Sequence, residues 1–252
     1  MLHLLKRHPF SVSAHFDSTL VLAYALPRQE LEKLLAPGLE LDTFGDFGFV
    51  AVALVQTRDL RPSFLSPALG QNFFLSGYRI FSRYTSNQGR HLRGLRILRS
   101  DTNKPLMRVA GNLLTHYHYH LAKVRIEQNA TRASFDIQTP RNEADLKVTA
   151  FLDQTGVLPE GSPFPDLKTA RKYAGPLPYT FDYEKETGSM ILIKSVRKEW
   201  NPTPVKVEVE TATFFERFST KPILANAFYL QNLPYRWEKG RREIVKQAEA
   251  QP

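Results

Sequence analysis

No cysteine occurs in the 252 residues of this chain. That absence excludes disulfides, thiolate zinc sites and a cysteine nucleophile together. It fits a reducing compartment, so a cytoplasmic protein is expected. Long hydrophobic runs are missing too. The longest, residues 47–55, falls far short of the about 18–20 residues that a spanning helix needs. The apolar start Leu2-His3-Leu4-Leu5 is too short for a secretory leader, and its charges follow it rather than precede it. No membrane partner is expected. The sequence also lacks Gly-x-Gly-x-x-Gly, Walker A and Gly-x-Ser-x-Gly motifs. Acids and lysines are absent from residues 60–100, which hold seven arginines.

The formal net charge is +9. Residues 60–126 carry eleven bases against Asp101 alone, a net of +10, so the rest of the chain is net −1. The basic character belongs to one segment, which argues against a uniformly basic, histone-like chain. A lysine-free arginine set suits bidentate grip on carboxylate or phosphate and tolerates burial. At strand spacing Arg79 and Arg83 share a face, Arg90 and Arg96 share a face, and Arg93 and Arg99 lie opposite them. Some should face a polar cavity and others solvent. Aromatics interleave here (Phe73, Phe74, Tyr78, Phe81, Tyr84), which raises nucleic acid as a rival ligand. No RNA-binding sheet motif, KH-type loop or zinc knuckle accompanies them, so nucleic acid is the minority reading.

Hydrophobic content of 42% suffices for a core, and one domain is expected over 1–252. Its core should span about 9–236, with 237–252 as a terminal helix or tail. Helical signals are few: residues 27–35, where Pro27 opens and Ala36-Pro37-Gly38 stops; 164–173; and the polar stretch 237–250. Strand signals dominate, at 14–26, 49–60, 71–85, 92–100, 118–128, 132–139, 145–153, 179–184, 190–200, 205–214 and 226–233. Ser86-Asn87-Gln88-Gly89 and Glu186-Thr187-Gly188-Ser189 suit hairpin loops with glycine at positive φ. Val205, Val207 and Val209 alternate with Lys206, Glu208 and Glu210, as on a half-buried antiparallel strand. The expected class is α+β, a twisted antiparallel or mixed sheet curled into a barrel or cone with a few short helices.

The run Thr115-His116-Tyr117-His118-Tyr119-His120-Leu121 holds three of the seven histidines. On a strand His116, His118 and His120 point one way, and Tyr117 and Tyr119 the other. Neighbouring imidazoles would stand about 6.6 Å apart, and the outer pair about 13 Å, too far to share one ion on a straight strand. No second ligand pair is marked, so no metal is expected. A His/Tyr-lined pocket with a hydrogen-bonding or titrating role is preferred. His116, His118 and His120 are the candidate catalytic residues. Arg79, Arg96, Tyr117, Tyr119 and Asp17 are the candidate ligand-binding residues, Asp17 because a carboxylate in the first strand must face solvent or meet an arginine.

Four segments carry a family resemblance: LVLAYALPRQELEKLLAPGLELDTF (residues 20–44), GFVAVALVQTRDLRP (48–62), NFFLSGYRIFSRY (72–84) and GLRILRSD (94–101). Over residues 9–233 the chain resembles the DUF2071 (YqjF-like) family of bacterial proteins, which is similar in fold to acetoacetate decarboxylase. The resemblance implies a cone-shaped sheet around a central pocket. It does not bring the decarboxylase chemistry with it. That enzyme forms a Schiff base through a lysine in a Tyr-Pro-Lys-Lys motif. The corresponding stretch here, residues 115–121, contains no lysine, and Lys123, the nearest, does not match. The pocket glutamates would fall in 49–55 and 61–70, which hold no carboxylate. No catalytic residue carries over. The expected partner is a small anionic or keto-type ligand, acted on by a route without a Schiff base or simply bound and sensed. No cofactor is expected, and a homo-oligomer stays open.

Overall fold

Side-chain alternation on the two central strands decides the architecture. The computed structural model describes residues 2–175, 177–197 and 200–245. Its first long strand, β1 (Val12–Pro27), points Leu20, Leu22, Tyr24 and Leu26 one way and Val21, Ala23 and Ala25 the other. After the one-turn helix α1 (Arg28–Glu32) and the short β2 (Leu39–Leu41) comes β3 (Phe47–Pro62). It repeats the pattern with Val50, Val52 and Leu54 against Phe49, Ala51, Ala53 and Val55. All of these are buried. Both faces of the sheet are covered here, which is why residues 47–55 read as one apolar run rather than an alternating one.

The remaining elements are β4 (Gln71–Thr85), β5 (His91–Thr102), α2 (Pro105–Leu114), β6 (Tyr119–Leu121), β7 (Lys123–Gln128), β8 (Arg132–Gln138), β9 (Leu146–Thr155), α3 (Leu167–Arg171), β10 (Tyr179–Glu184), β11 (Ser189–Val196), β12 (Thr203–Ala212), β13 (Ile223–Trp237) and β14 (Arg241–Ile244). They form one 14-stranded mixed sheet. Strands β11-β10-β5-β4-β3-β1-β13 run side by side, and β13 returns to β11 through Ser195↔Trp237 and Val196↔Arg236. This closes a cone-like ring. The pairing is antiparallel except for β5 with β10 and with β6.

From β13 the sheet continues through β12, β9 and β8 to β7. These strands fold over the outer face of the ring and bury Phe135, Ile137, Leu146 and Val148 against Leu20, Leu22, Val50 and Val52. Each such large side chain contributes about 1.5–3 kcal/mol. Inside the ring, Phe164 and Tyr173, which flank α3, stack on each other and pack against Phe49, Phe164 stacked on it and Tyr173 tilted. Asp166 caps α3 by accepting from the Thr169 amide.

The expected hairpin glycines hold: Gly89 and Gly188 have φ of 73° and 59°. Two expectations change. The terminal helix is replaced over Arg241–Ile244 by β14, which pairs with the free edge of β11. Edge pairing outweighs the helix propensity of a polar segment; residues 246–252 lie outside the described residues. The strand expected from residue 118 starts at 119, and α2 precedes it, a helix that none of the three helical signals marked. No helix among the described residues is long and apolar enough to cross a membrane.

Candidate functional site

The inward face of the ring is built from small residues. Ala51 and Ala53 on β3 lie across from Arg79 and Gly77 on β4, and from Ala23 and Val21 on β1. Where large side chains fill the outer face, these leave space. The result is a cavity of about 320 Å³. One end is capped by His8, Pro9 and Phe10, by Met107, Ala110 and Gly111 of α2, and by Tyr117 and Tyr119. Gly111 is required for this cap: a Cβ there would fall 2.3 Å from the Tyr119 ring. Most of the wall is apolar, and no Lys, Asp or Glu lines it among the described residues.

Two arginines are the exceptions in this wall: Arg61, which donates to the Leu65 and Asp59 carbonyls at 3.0 and 2.8 Å, and Arg79. Arg79 is the one without such partners. Protein surrounds it, yet it keeps accessible surface, and that surface is cavity wall. Its guanidinium folds back over Gly77, where an added Cβ would stand 3.0 Å from Nε and 3.1 Å from one terminal nitrogen. Among the described residues no carboxylate pairs with it, and Nε is buried without a hydrogen-bond partner. Burial pushes its pKa down, while Tyr235, Tyr119 and Tyr117 push it up. An arginine stays charged even so. Burial raises all three tyrosines, Tyr119 to about 12, with Arg79 opposing. Each therefore presents an O–H at neutral pH. Tyr117 Oη, Thr19 Oγ1 and Thr57 Oγ1 are also buried without partners, and all three residues line the same cavity. Buried polar atoms are seldom left unpaired, so this clustering marks a place built for a polar ligand or water.

Of the residues singled out in the sequence, Arg79, Tyr117 and Tyr119 line the cavity. The alternation in the run 115–121 survives, but as a loop leading into β6 rather than a full strand, with the tyrosines inward and the imidazoles outward. His116 turns to Asp182. Its amide donates to Oδ2 at 3.1 Å, and its Nδ1 lies 3.3 Å from the same oxygen, angled off a hydrogen bond. Burial raises Asp182 to about 7 and lowers His116. His118 is exposed, with φ of 52°. His120 borders a surface groove with Lys6, Arg108 and Glu143. No group of three or more His, Cys, Asp or Glu is placed to hold a metal ion among the described residues. Arg96 lies on the side of Asp182, away from the cavity, and burial lowers its pKa. Asp17 is at the surface, paired with Arg58 at 3.0 Å.

Three other arginines of the acid-free stretch are paired with acids from elsewhere, whereas Arg61 donates to the Leu65 and Asp59 carbonyls and Arg96 has a buried nitrogen without a hydrogen-bond partner. Asp42, fully buried, takes both Arg83, at 2.7 Å, and Arg93. Arg99 is held by Asp101 at 2.9 Å and Glu143 at 2.8 Å. Phe73, Phe74, Tyr78, Phe81 and Tyr84 are all buried, so none of them offers a stacking platform for bases. Thr19, Thr57 and Tyr235 line the cavity without having carried a signal in the sequence, and so does His8. His8 is brought there by contacts with residues more than a hundred positions away, which no local pattern announces.

Residues 13–227 match the family model of DUF2071, described as an uncharacterized conserved protein. No curated protein matches this sequence. Solved structures similar to it include acetoacetate decarboxylase from Legionella pneumophila, at 12% identity and TM-score 0.61, covering 93% of this chain and 88% of that one. An acetoacetate decarboxylase-like enzyme from Sphingomonas wittichii is 10% identical, with TM-score 0.58 and coverage of 95% and 94%. The enduracididine biosynthesis enzyme MppR, solved in complex with pyruvate, is 10% identical, with TM-score 0.59 and coverage of 93% and 90%. At these identities the likeness shows a shared fold.

Proposed function

We propose, for a chain that belongs to the DUF2071 family and has the acetoacetate decarboxylase-like fold, that its cavity takes a small organic acid or keto acid, with the carboxylate on Arg79. One observation carries this reading. A guanidinium surrounded by protein faces a cavity and has no carboxylate partner among the described residues. Burying an unpaired charge is costly, and a carboxylate ligand would relieve that cost through bidentate hydrogen bonds. Tyr117, Tyr119 and Tyr235 supply further O–H donors toward the same ligand. The apolar remainder of the wall suits an acid with a short hydrocarbon body. MppR, of the same fold, has been solved with pyruvate, a keto acid.

The chemistry proposed here does not run through a Schiff base, because no lysine lines the cavity among the described residues. Borohydride in the presence of keto acids should leave no adduct; labelling of Lys123 would overturn this. The same lining also favours the alternative, a binding or sensing protein without catalysis. A thermal-shift series with short monocarboxylates and keto acids tests the shared part of both readings. A bound acid at about 100 times its Kd should add about 2.7 kcal/mol of stability. The shift should vanish in Arg79→Met, and its persistence there would remove Arg79 from the site.

A further inference from the structure

Of the seven histidines in the sequence, His8 alone lines the cavity. Its ring centroid lies 6.3 Å from that of Tyr117, whose hydroxyl is one of the unpartnered cavity groups. The backbone around it is fixed from several sides. The His8 amide donates to the Leu114 carbonyl at 3.2 Å, and its carbonyl accepts from the Gly240 amide at 2.9 Å. Arg7 grips the fully covered Glu184 with two hydrogen bonds, at 2.8 and 2.6 Å. Gly240 comes so close that a Cβ on it would fall 2.1 Å from the Arg7 carbonyl oxygen. Within this clamp His8 has φ of 55°, a left-handed conformation that non-glycine residues seldom adopt. Strain held in place by surrounding contacts, at a residue that faces a cavity, points to function. Burial pushes the imidazole down to about 4, against a hydrogen bond to the Phe10 backbone that raises it. The ring is therefore neutral at pH 7, with one nitrogen free to accept a proton.

We propose that His8 is the proton-transfer residue of this cavity, and that the protein enolises 2-keto acids held on Arg79, exchanging the hydrogens beside the keto carbon with solvent. This rests on the organic-acid reading above. The unprotonated ring nitrogen takes a proton from the carbon next to the keto group. The C–H electron pair becomes the C=C bond, and the carbonyl pair moves onto oxygen, which accepts a hydrogen bond from an O–H such as that of Tyr117. The imidazolium exchanges its proton with solvent and returns one to carbon. The keto acid is regenerated, and no oxidant, reductant or second substrate is consumed.

The test follows the C3–H signal of 2-ketobutyrate by proton NMR in D2O, with a parallel thermal shift by the same acid. Wild-type protein should speed the loss of signal at least about 100-fold over buffer. His8→Asn, which tolerates a left-handed backbone, should keep the thermal shift and return exchange to the buffer rate. His8→Gly is a second variant suited to that backbone, and added imidazole should restore its exchange beyond what imidazole does alone. If 2-ketobutyrate binds in an Arg79-dependent way but wild-type protein does not accelerate exchange, or His8→Asn exchanges at the wild-type rate, the His8 inference is overturned and the organic-acid reading stands. If no organic or keto acid shifts the melting at all, the cavity reading itself fails and takes this inference with it.

Discussion

Arg79 and Arg99 come from the same acid-free arginine run, sit on adjacent strands and are both enclosed by protein, yet their surroundings are opposite. Arg99 is held by Asp101 at 2.9 Å and Glu143 at 2.8 Å. Arg79 has no carboxylate among the described residues and faces empty space made by Ala51, Ala53 and Gly77. Spacing along the chain does not distinguish them. What differs is what the topology delivers: the loop after β8 brings Glu143 to one, and the inside of the ring brings no carboxylate to the other among the described residues. A buried cation with internal partners is a structural joint. One without them is the observation on which the proposed organic-acid site rests.

The largest effect expected from this contrast is on stability. Arg99→Met strands the buried Asp101, whose carboxyl burial already raises to about 6. It should lower unfolding free energy by about 3–5 kcal/mol in a denaturant titration. Arg79→Met should cost nothing measurable in the same titration, because it removes an unpaired charge and retains an apolar stem. Comparable losses in both variants would erase the distinction.

The two faces of β3 extend the comparison. Leu54→Ala, on the packed outer face, should cost about 2–5 kcal/mol. Ala53→Leu, on the cavity face, should change stability by less than about 1.5 kcal/mol in either direction. It should nevertheless abolish the acid-induced thermal shift by filling the cavity. A large loss from Ala53→Leu would show that the space it enters cannot accept a side chain.

Two carboxyls on one strand give opposite pH signatures. Asp182 rises from 3.8 to about 7 through burial. Between those values the folded state binds more protons than the unfolded one, so its contribution to stability falls as pH rises through that window. Glu184 drops from 4.5 to about 2 beside Arg7. Its contribution is present above 4.5 and is lost as pH falls toward 2. Asp182→Asn should flatten stability between pH 4 and 7, and Glu184→Gln should flatten it below 4.5, by thermal melts across pH. An unchanged profile in either variant would deny that carboxyl its role.

The smallest effect is expected at Gly77. An alanine Cβ there stands 3.0–3.1 Å from two Arg79 nitrogens, so Gly77→Ala should push the guanidinium by a few tenths of an ångström. Acid affinity should weaken by about tenfold, or about 1.4 kcal/mol, with the melting temperature nearly unchanged. Calorimetric titration of the variant reads the affinity, and a thermal melt reads the stability.

Much of the fold was legible. The unbroken apolar run 47–55 marks a strand covered on both faces, and Gly89 and Gly188 mark hairpins. α2 was not legible, because Pro105-Leu106-Met107-Arg108-Val109-Ala110-Gly111 offers no acidic first turn or capping side chain. β14 was missed because its strand character comes from the edge of β11 rather than from its own residues.

The sequence by itself determined which side chains of β1, β3 and β4 share a face. That follows from period-two alternation, a local property of strands. It also determined that Tyr117 and Tyr119 point away from His116, His118 and His120. Only the tertiary structure decided which set faces the cavity, which arginines meet acids, and that His8 sits at the cavity while the three conspicuous histidines do not line it. Those outcomes depend on ring closure and on contacts such as Arg7 with Glu184, 177 residues apart. Local periodicity fixes which side chains travel together on a face. Only long-range pairing fixes what that face meets.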